Sequence, residues 1–379
     1  MNYMYRKIFS IISIFLLIFS NTVNFAEQNL QVPKEKFKIA YLENDPYFNY
    51  TGTFYGIIRG LYKDGIVNTI DDIPYSEGDD DSSEIWNYLS NPKISDYLDF
   101  NKDAFYQLYN MNEKAQEELI DTLNNTSKYD LVIVLGTRAG KFASANINGT
   151  PIMVFSTSNA IGAGITASSE DSGKDNIWAH VDTKRYLRQL NVFYDLFKFK
   201  TLGIVFENTE SGRVQASYDL VKEFAKSNNV KLIEKHVSEP INPEDQLRYD
   251  QELKKAYKEI ANEVDAFYLT TGARDTNVLY DYLEEFYNNK IPVFSQVGSR
   301  EVKKGALMSV YRFNYDEIGY FGADRILKVL GGELPRKLGQ EFGETPSISI
   351  NIEVAKKIDY KPSLELLLII DTFYKTIIK

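Results

Sequence analysis

Two segments far apart in the chain repeat one structural phrase. The runs YDLVIVLGT (129–137) and PIMVFSTSN (151–159) flank a helix-length stretch, and VDAFYLTTG (264–272) and IPVFSQVG (291–298) flank another. In each unit an Asp precedes an apolar run that ends in small and hydroxyl residues, and a Pro precedes a second run that closes on Phe-Ser. Such runs suit parallel strands covered on both faces and joined by a crossover helix. Two similar α/β lobes are the economical reading.

Length and composition agree. A chain of 379 residues exceeds one ordinary core and fits two lobes, and 44% hydrophobic residues with 14% aromatics are ample for burial. Residues 1–26 read as a secretory signal peptide: Arg6 and Lys7 form a positive start, 8–19 is a short apolar run, and polar residues lead to Ala26. That run is too short for a transmembrane anchor. The chain has no Cys, which excludes disulfides, a thiol nucleophile and a lipid-modified cysteine anchor. An exported protein, periplasmic or extracellular, is expected. Removing Arg6 and Lys7 takes the formal charge from −10 to −12, and an acidic chain without a basic cluster argues against nucleic acid and anionic membrane surfaces.

Along the chain, strands are expected at 37–43, 201–208, 231–237 and 306–312. Helices are expected near 56–64, at 112–124, at 211–228 and at 315–330, the last closed by Gly331 and Gly332. The turn 44–50 should join the first strand to its helix. The acidic stretch 70–83 lacks the ligand spacing of a calcium loop and reads as a solvated turn. The tail LELLLII (364–370) reads as a packed terminal helix.

Catalytic motifs find little support. GTRAGKF (136–142) resembles a phosphate loop, but it is one residue short between the glycines and has Phe142 where a metal-binding hydroxyl must follow the Lys. GAGITA (162–167) does not open a helix in the first strand-helix unit, as a dinucleotide fingerprint requires. Two histidines, His180 and His236, in different contexts and with no Cys, exclude a His-rich metal site, and no nucleophile-elbow motif is present. Neither a catalytic residue nor a cofactor or metal is expected.

In parallel α/β sheets ligands bind beyond the carboxyl ends of the strands. Those ends here are 44–50, 136–140, 156–159, 207–213, 270–275 and 295–298. Their hydroxyls, amides and helix-start N–H groups suit a carboxylate or carbonyl, and Tyr47, Phe48 and Tyr50 suit an apolar or aromatic moiety. The same residue types also serve as turn and capping residues.

The ordered series GTRAG, PIMVFSTSN, GIVFEN, VDAFYL, IPVFS, KKGAL, IGYFGADRILKVLGGELPR and ISINIEVAKKI resembles the substrate-binding proteins of ABC transporters, in the branch with tryptophan- and tyrosine-binding members. The resemblance spans 37 to about 370. It implies an α/β type I periplasmic-binding-protein fold: two doubly wound parallel-sheet lobes joined by a three-crossover hinge. Lobe one would hold 37–181 plus 309–335, and lobe two 182–308 plus 336–379. The family's ligand-contacting loops match Tyr47, Thr137, Arg138, Ser156, Thr157, Ser158, Asn159, Asn208, Glu210, Thr271, Gln296 and Tyr311. Arg138, in a turn where a small residue is common, could reach a ligand carboxylate, and Glu210 or Asp275 could meet an ammonium. A longer stretch at 69–100 departs from the family pattern and bears on the cleft mouth.

The implied function is capture of a small molecule, an aromatic amino acid being the first candidate, by a monomer that presents it to a membrane permease. A sensory binding protein that signals to a receptor and a secreted two-lobed enzyme remain open alternatives.

Overall fold

A computed structural model describes residues 32–240, 243–270, 278–311 and 314–378. The expected leader at 1–26 and the residues Thr271 and Asp275 lie outside the described residues.

Lobe one begins with β1 (Phe37–Glu43) and α1 (Phe48–Lys63), followed by α2 (Ser82–Leu89), β2 (Leu98–Asp99), β3 (Phe105–Gln107) and α3 (Glu113–Asn124). The first repeat unit follows as β4 (Leu131–Leu135), α4 (Thr137–Asn146) and β5 (Ile152–Phe155), and β6 (Ile177–Ala179) completes the sheet. Its strands run parallel in the order β2-β1-β4-β5-β6, with β3 beside the far end of β1. Every residue of β4, β5 and β6 is buried, as expected for strands covered on both faces.

Lobe two contains α5 (Arg185–Phe197), β7 (Thr201–Glu207), α6 (Glu210–Gln215), α7 (Tyr218–Ser227), β8 (Lys231–Val237) and α8 (Gln246–Ile260). The second repeat unit is β9 (Ala266–Leu269), the short helices α9 (Leu279–Tyr282) and α10 (Glu284–Asn288), and β10 (Val293–Ser295). After α11 (Ser299–Lys303) and β11 (Met308–Ser309), α12 (Tyr315–Leu330) returns to pack on α1. The chain ends in lobe two with β12 (Ser349–Asn351), α13 (Ile352–Lys357), α14 (Leu364–Ile369) and β13 (Thr372–Tyr374). The second sheet has the order β13-β12-β11-β10-β9-β7-β8, with only β11 and β12 antiparallel among its described pairs. The chain thus passes between the lobes three times: after β6, after β11 and after α12. Among the described residues no helix is long and apolar enough to cross a membrane.

The repeated Asp and Pro have matching structural duties. Asp130 Oδ2 accepts from the Lys38 amide at 2.7 Å, at the start of β1, and Asp265 Oδ2 accepts from the Lys200 and Thr201 amides at 3.0 and 3.1 Å, at the start of β7. Each carboxylate ties its own repeat strand to the first strand of its lobe. The Pro151 carbonyl accepts from Val132 N at 2.9 Å and the Pro292 carbonyl from Phe267 N at 3.0 Å. Both prolines stand at strand starts, where their missing N–H costs no ladder bond.

α1 and α12 approach more closely than larger side chains would permit. A Cβ on Gly56 would lie 1.9 Å from the Tyr315 carbonyl oxygen, and one on Gly319 would lie 2.1 Å from the Gly56 backbone. Gly52 and Gly60, one turn to either side, face the Tyr315 ring and Ala323 at 2.4 and 2.6 Å in the same sense.

Several elements differ from the sequence expectation. α1 starts at Phe48, eight residues before the expected 56, so the last three residues of the expected 44–50 turn are helix; its N-cap, Tyr47, has no capping side-chain bond, so the usual start signal is missing. The helix expected at 211–228 is two helices, broken where Ser217 takes a left-handed φ of 50°. The strand expected at 306–312 narrows to Met308–Ser309. The tail helix α14 buries Leu366 but leaves Leu364 and Leu368 exposed, and a further strand, β13, follows it.

Gly56→Val should therefore destabilise the protein by on the order of 1–3 kcal/mol, because the helices must separate to admit the side chain. Gly339→Ala, where an added Cβ meets nothing within 4 Å, is the control and should change little. Denaturant unfolding of both variants measures the difference.

Candidate ligand cleft

Between the lobes lies a cleft of about 480 Å³ lined by residues from both. Its lobe-one wall begins with the first turn of α1. Tyr47 packs edge-on against Phe48 and Tyr50, with ring centroids 4.7 and 5.1 Å apart. Tyr50 sits where a Cβ on Gly136 would be, 2.2 Å from its hydroxyl, and Gly136 itself has a φ of 91°, so this position before α4 requires glycine on both counts. The Thr137 hydroxyl accepts from the Ser158 amide at 3.2 Å and ties the start of α4 to the hydroxyl loop after β5. In that loop Ser156 turns the chain with a left-handed φ of 54°.

The lobe-two wall carries Glu207, Thr270, Gln296, Arg300 and Glu301. Arg300 stacks across the cleft on Phe48, 4.2 Å from the ring centroid. Arg138 of lobe one forms an ion pair with Glu239, in the segment after β8. Gln296 donates to the Gln215 carbonyl at 3.2 Å.

The hinge side is a hydrogen-bonded junction of all three passages. Val181 exchanges backbone bonds with Gln340 and Phe342 at 3.0 and 2.9 Å, and His180 Nε2 pairs with the Phe342 carbonyl at 2.9 Å. Burial lowers the His180 pKa and favours a neutral ring. Arg185 donates to the Ser158 carbonyl and the Tyr311 hydroxyl, each at 3.2 Å, and its guanidinium stacks on the Tyr186 and Tyr311 rings at 4.5 and 5.0 Å. Tyr311 donates in turn to Glu344 at 2.8 Å, which also accepts from the Asn314 amide at 3.1 Å.

Four buried polar atoms in cleft residues have no hydrogen-bond partner among the described residues: Thr53 Oγ1, Arg185 Nε, Gln296 Oε1 and Glu301 Oε2. An unpaired buried polar group costs about 1–3 kcal/mol, so their collection along one cleft marks a wall that a polar ligand or water would complete. Burial also raises the Glu301 carboxyl to about 7.

Of the residues expected from sequence, Tyr47, Thr137, Arg138, Ser156, Thr157, Ser158, Gln296 and Tyr311 line this cleft. Asn159 lines an adjoining chamber of about 140 Å³ instead. Asn208 and Glu210 line neither: the Asn208 amide bonds the Val237 carbonyl, and Glu210 opens α6. The acids on the cleft wall are Asp45, Asp80, Glu207 and Glu301. Gly78 and Asp80 bring the 69–100 stretch to the cleft, and its Tyr75 stacks on Tyr55 of α1 at 4.2 Å. Sequence reading missed Arg185, Tyr186, Arg300 and Glu301. The Arg-Tyr pair just beyond the first passage was the one available signal.

A model of the family described as ABC transporter substrate binding protein matches residues 95–369. A curated tyrosine-binding protein from Clostridioides difficile (strain R20291) is 24% identical over 254 residues, 65% of this chain and 69% of the relative. Among solved structures, an ABC domain in complex with L-Trp from Streptococcus pneumonia superposes with a TM-score of 0.63 at 17% identity, covering 89% of this chain and 100% of that one. A ligand-free, open substrate-binding protein with adhesive properties from Clostridium difficile gives 0.60 at 20% identity, covering 90% and 100%. At these identities the structural likenesses show the fold.

Below the cleft, Glu43 accepts from Tyr41, Gln107 and Ser82 at 2.6, 2.8 and 3.2 Å, and burial raises its carboxyl to about 7, as it does for Glu301 and Glu344. Between the ordinary carboxylate range and 7 the folded protein keeps protons that the unfolded chain has released, so these three groups make stability fall as pH rises through that window. Glu43→Gln should make the fall shallower. Denaturant midpoints between about pH 5 and pH 8 measure it, and an unchanged slope would remove Glu43 from the account.

Proposed function

The chain belongs to the family of ABC transporter substrate-binding proteins, and from that premise we propose that it captures an amino acid with an aromatic side chain outside the cytoplasm and presents it to an ABC permease. The observation that carries the reading is the composition of the cleft wall. Rings at Tyr47, Phe48 and Tyr50 suit an aromatic side chain, Arg185 and the hydroxyl loop at Ser156–158 suit a carboxylate, and Glu207 and Glu301 suit an ammonium. Contacts come from both lobes, so a ligand that touches both stabilises the closed arrangement by its differential affinity for it. The tyrosine-binding relative and the neighbour solved with L-Trp support the ligand class.

In this proposal Tyr47, Thr137, Ser156, Thr157, Ser158, Gln296 and Tyr311 contact the ligand, lobe one comprises 37–181 with 309–335, and lobe two comprises 182–308 with 336–379. The protein acts as an exported monomer, with residues 1–26 as its leader.

L-Tyrosine or L-tryptophan should raise the melting temperature with increasing concentration, because both bind the native state alone. A thermal-shift series against all common amino acids, sugars and nucleosides checks this. A shift confined to sugars or nucleosides would reject the amino-acid reading.

A further inference from the structure

Of the three cleft arginines, Arg300 stacks on Phe48, and the surroundings of the other two differ. Arg138 already holds a carboxylate, that of Glu239 from the opposite lobe, and both side chains are largely covered. A ligand carboxylate reaching Arg138 would share its charge with Glu239. Arg185 has no carboxylate within ion-pair distance among the described residues. Its partners are neutral oxygens, the Ser158 carbonyl and the Tyr311 and Tyr186 hydroxyls. A guanidinium has five N–H donors; three are used here, and Nε–H finds no acceptor. The nearby acids are Glu344, which lies behind Tyr311, and Asp182, which is paired with Arg188.

Position separates the two further. Arg185 opens α5 of lobe two beside the first passage between the lobes and bonds Ser158 and Tyr311 of lobe one, so it sits at the hinge side of the cleft. The Arg138–Glu239 pair links α4 of lobe one to the segment after β8 of lobe two, away from the three passages. Resting on the amino-acid reading, we infer that Arg185 anchors the ligand's carboxylate at the hinge side of the cleft, and that Arg138 and Glu239 form a latch that closes the lobes over it.

The test compares L-tyrosine with L-tyrosinamide, which keeps the ring and the ammonium but lacks the carboxylate, by titration calorimetry. The wild-type protein should prefer tyrosine by about tenfold or more. Arg185→Gln should bring the ratio close to one by weakening tyrosine alone, and Arg185→Lys should keep part of it, which separates charge recognition from a folding defect. Glu239→Gln should weaken both ligands equally, leave the ratio intact and speed dissociation. Added salt should weaken binding more in the wild type than in Glu239→Gln. Collapse of the ratio in Arg138→Gln, with the ratio kept in Arg185→Gln, would overturn the assignment while leaving the amino-acid reading in place. A wild-type protein that binds neither tyrosine nor tryptophan would sink that reading and the anchor together.

Discussion

The two-lobed arrangement depends on one helix contact between segments from opposite ends of the chain. Gly52, Gly56 and Gly60 form a bare strip along α1, and Gly319 and Ala323 of α12 lie against it at backbone distance. Without that strip α12 has no seat in lobe one. With it, the chain must leave lobe two after β11 and return for β12, which places the second and third passages beside the first. Tyr311, Asn314 and Glu344 then come together around Arg185, and the hinge side of the cleft is built from three passages at once.

The rest of the cleft follows from the strand ends. Both sheets are parallel through their centres, so their carboxyl ends face a common space, and the loops there carry the polar and aromatic groups. The hinge side is densely bonded, whereas among the described residues the far side is bridged by one ion pair and one ring-cation contact. A clamp of this kind moves at its far side and stays fixed at its hinge. That division suits a ligand whose charged end is read by fixed groups while its closure is read by the bridging pair. Burial raises the carboxyls of Glu301 and Glu344 on the two sides of this space to about 7, so each is only partly ionised near neutral pH.

Much of the fold was legible because the repeated Asp and Pro have local causes. Each Asp fixes its strand to the first strand of its lobe, and each Pro opens a buried strand, so the pattern shows without knowledge of distant residues. The start of α1 was not legible, since Tyr47 offers no capping bond and the aromatic residues after it read as a turn. The strip of glycines in α1 lowers helix propensity on its own; only α12, far along the chain, explains it. The break at Ser217 and the strand β13 likewise depend on tertiary context. In the cleft, the strand-end loops followed from topology, and the individual residues in them from the family resemblance. Arg185 and Glu301 were missed because they sit in helices, where a single charged residue normally faces solvent.

The central claim is that a ligand closes these lobes by touching both. The chain has no Cys, so cysteines placed at Lys114 in lobe one and Lys255 in lobe two, whose side chains are 83% and 78% exposed, accept spin labels cleanly. The interlobe distance distribution measured by pulsed electron resonance should be broad without ligand and collapse to a single short distance with saturating L-tyrosine. An unchanged distribution in protein shown by calorimetry to have bound its ligand would contradict the account.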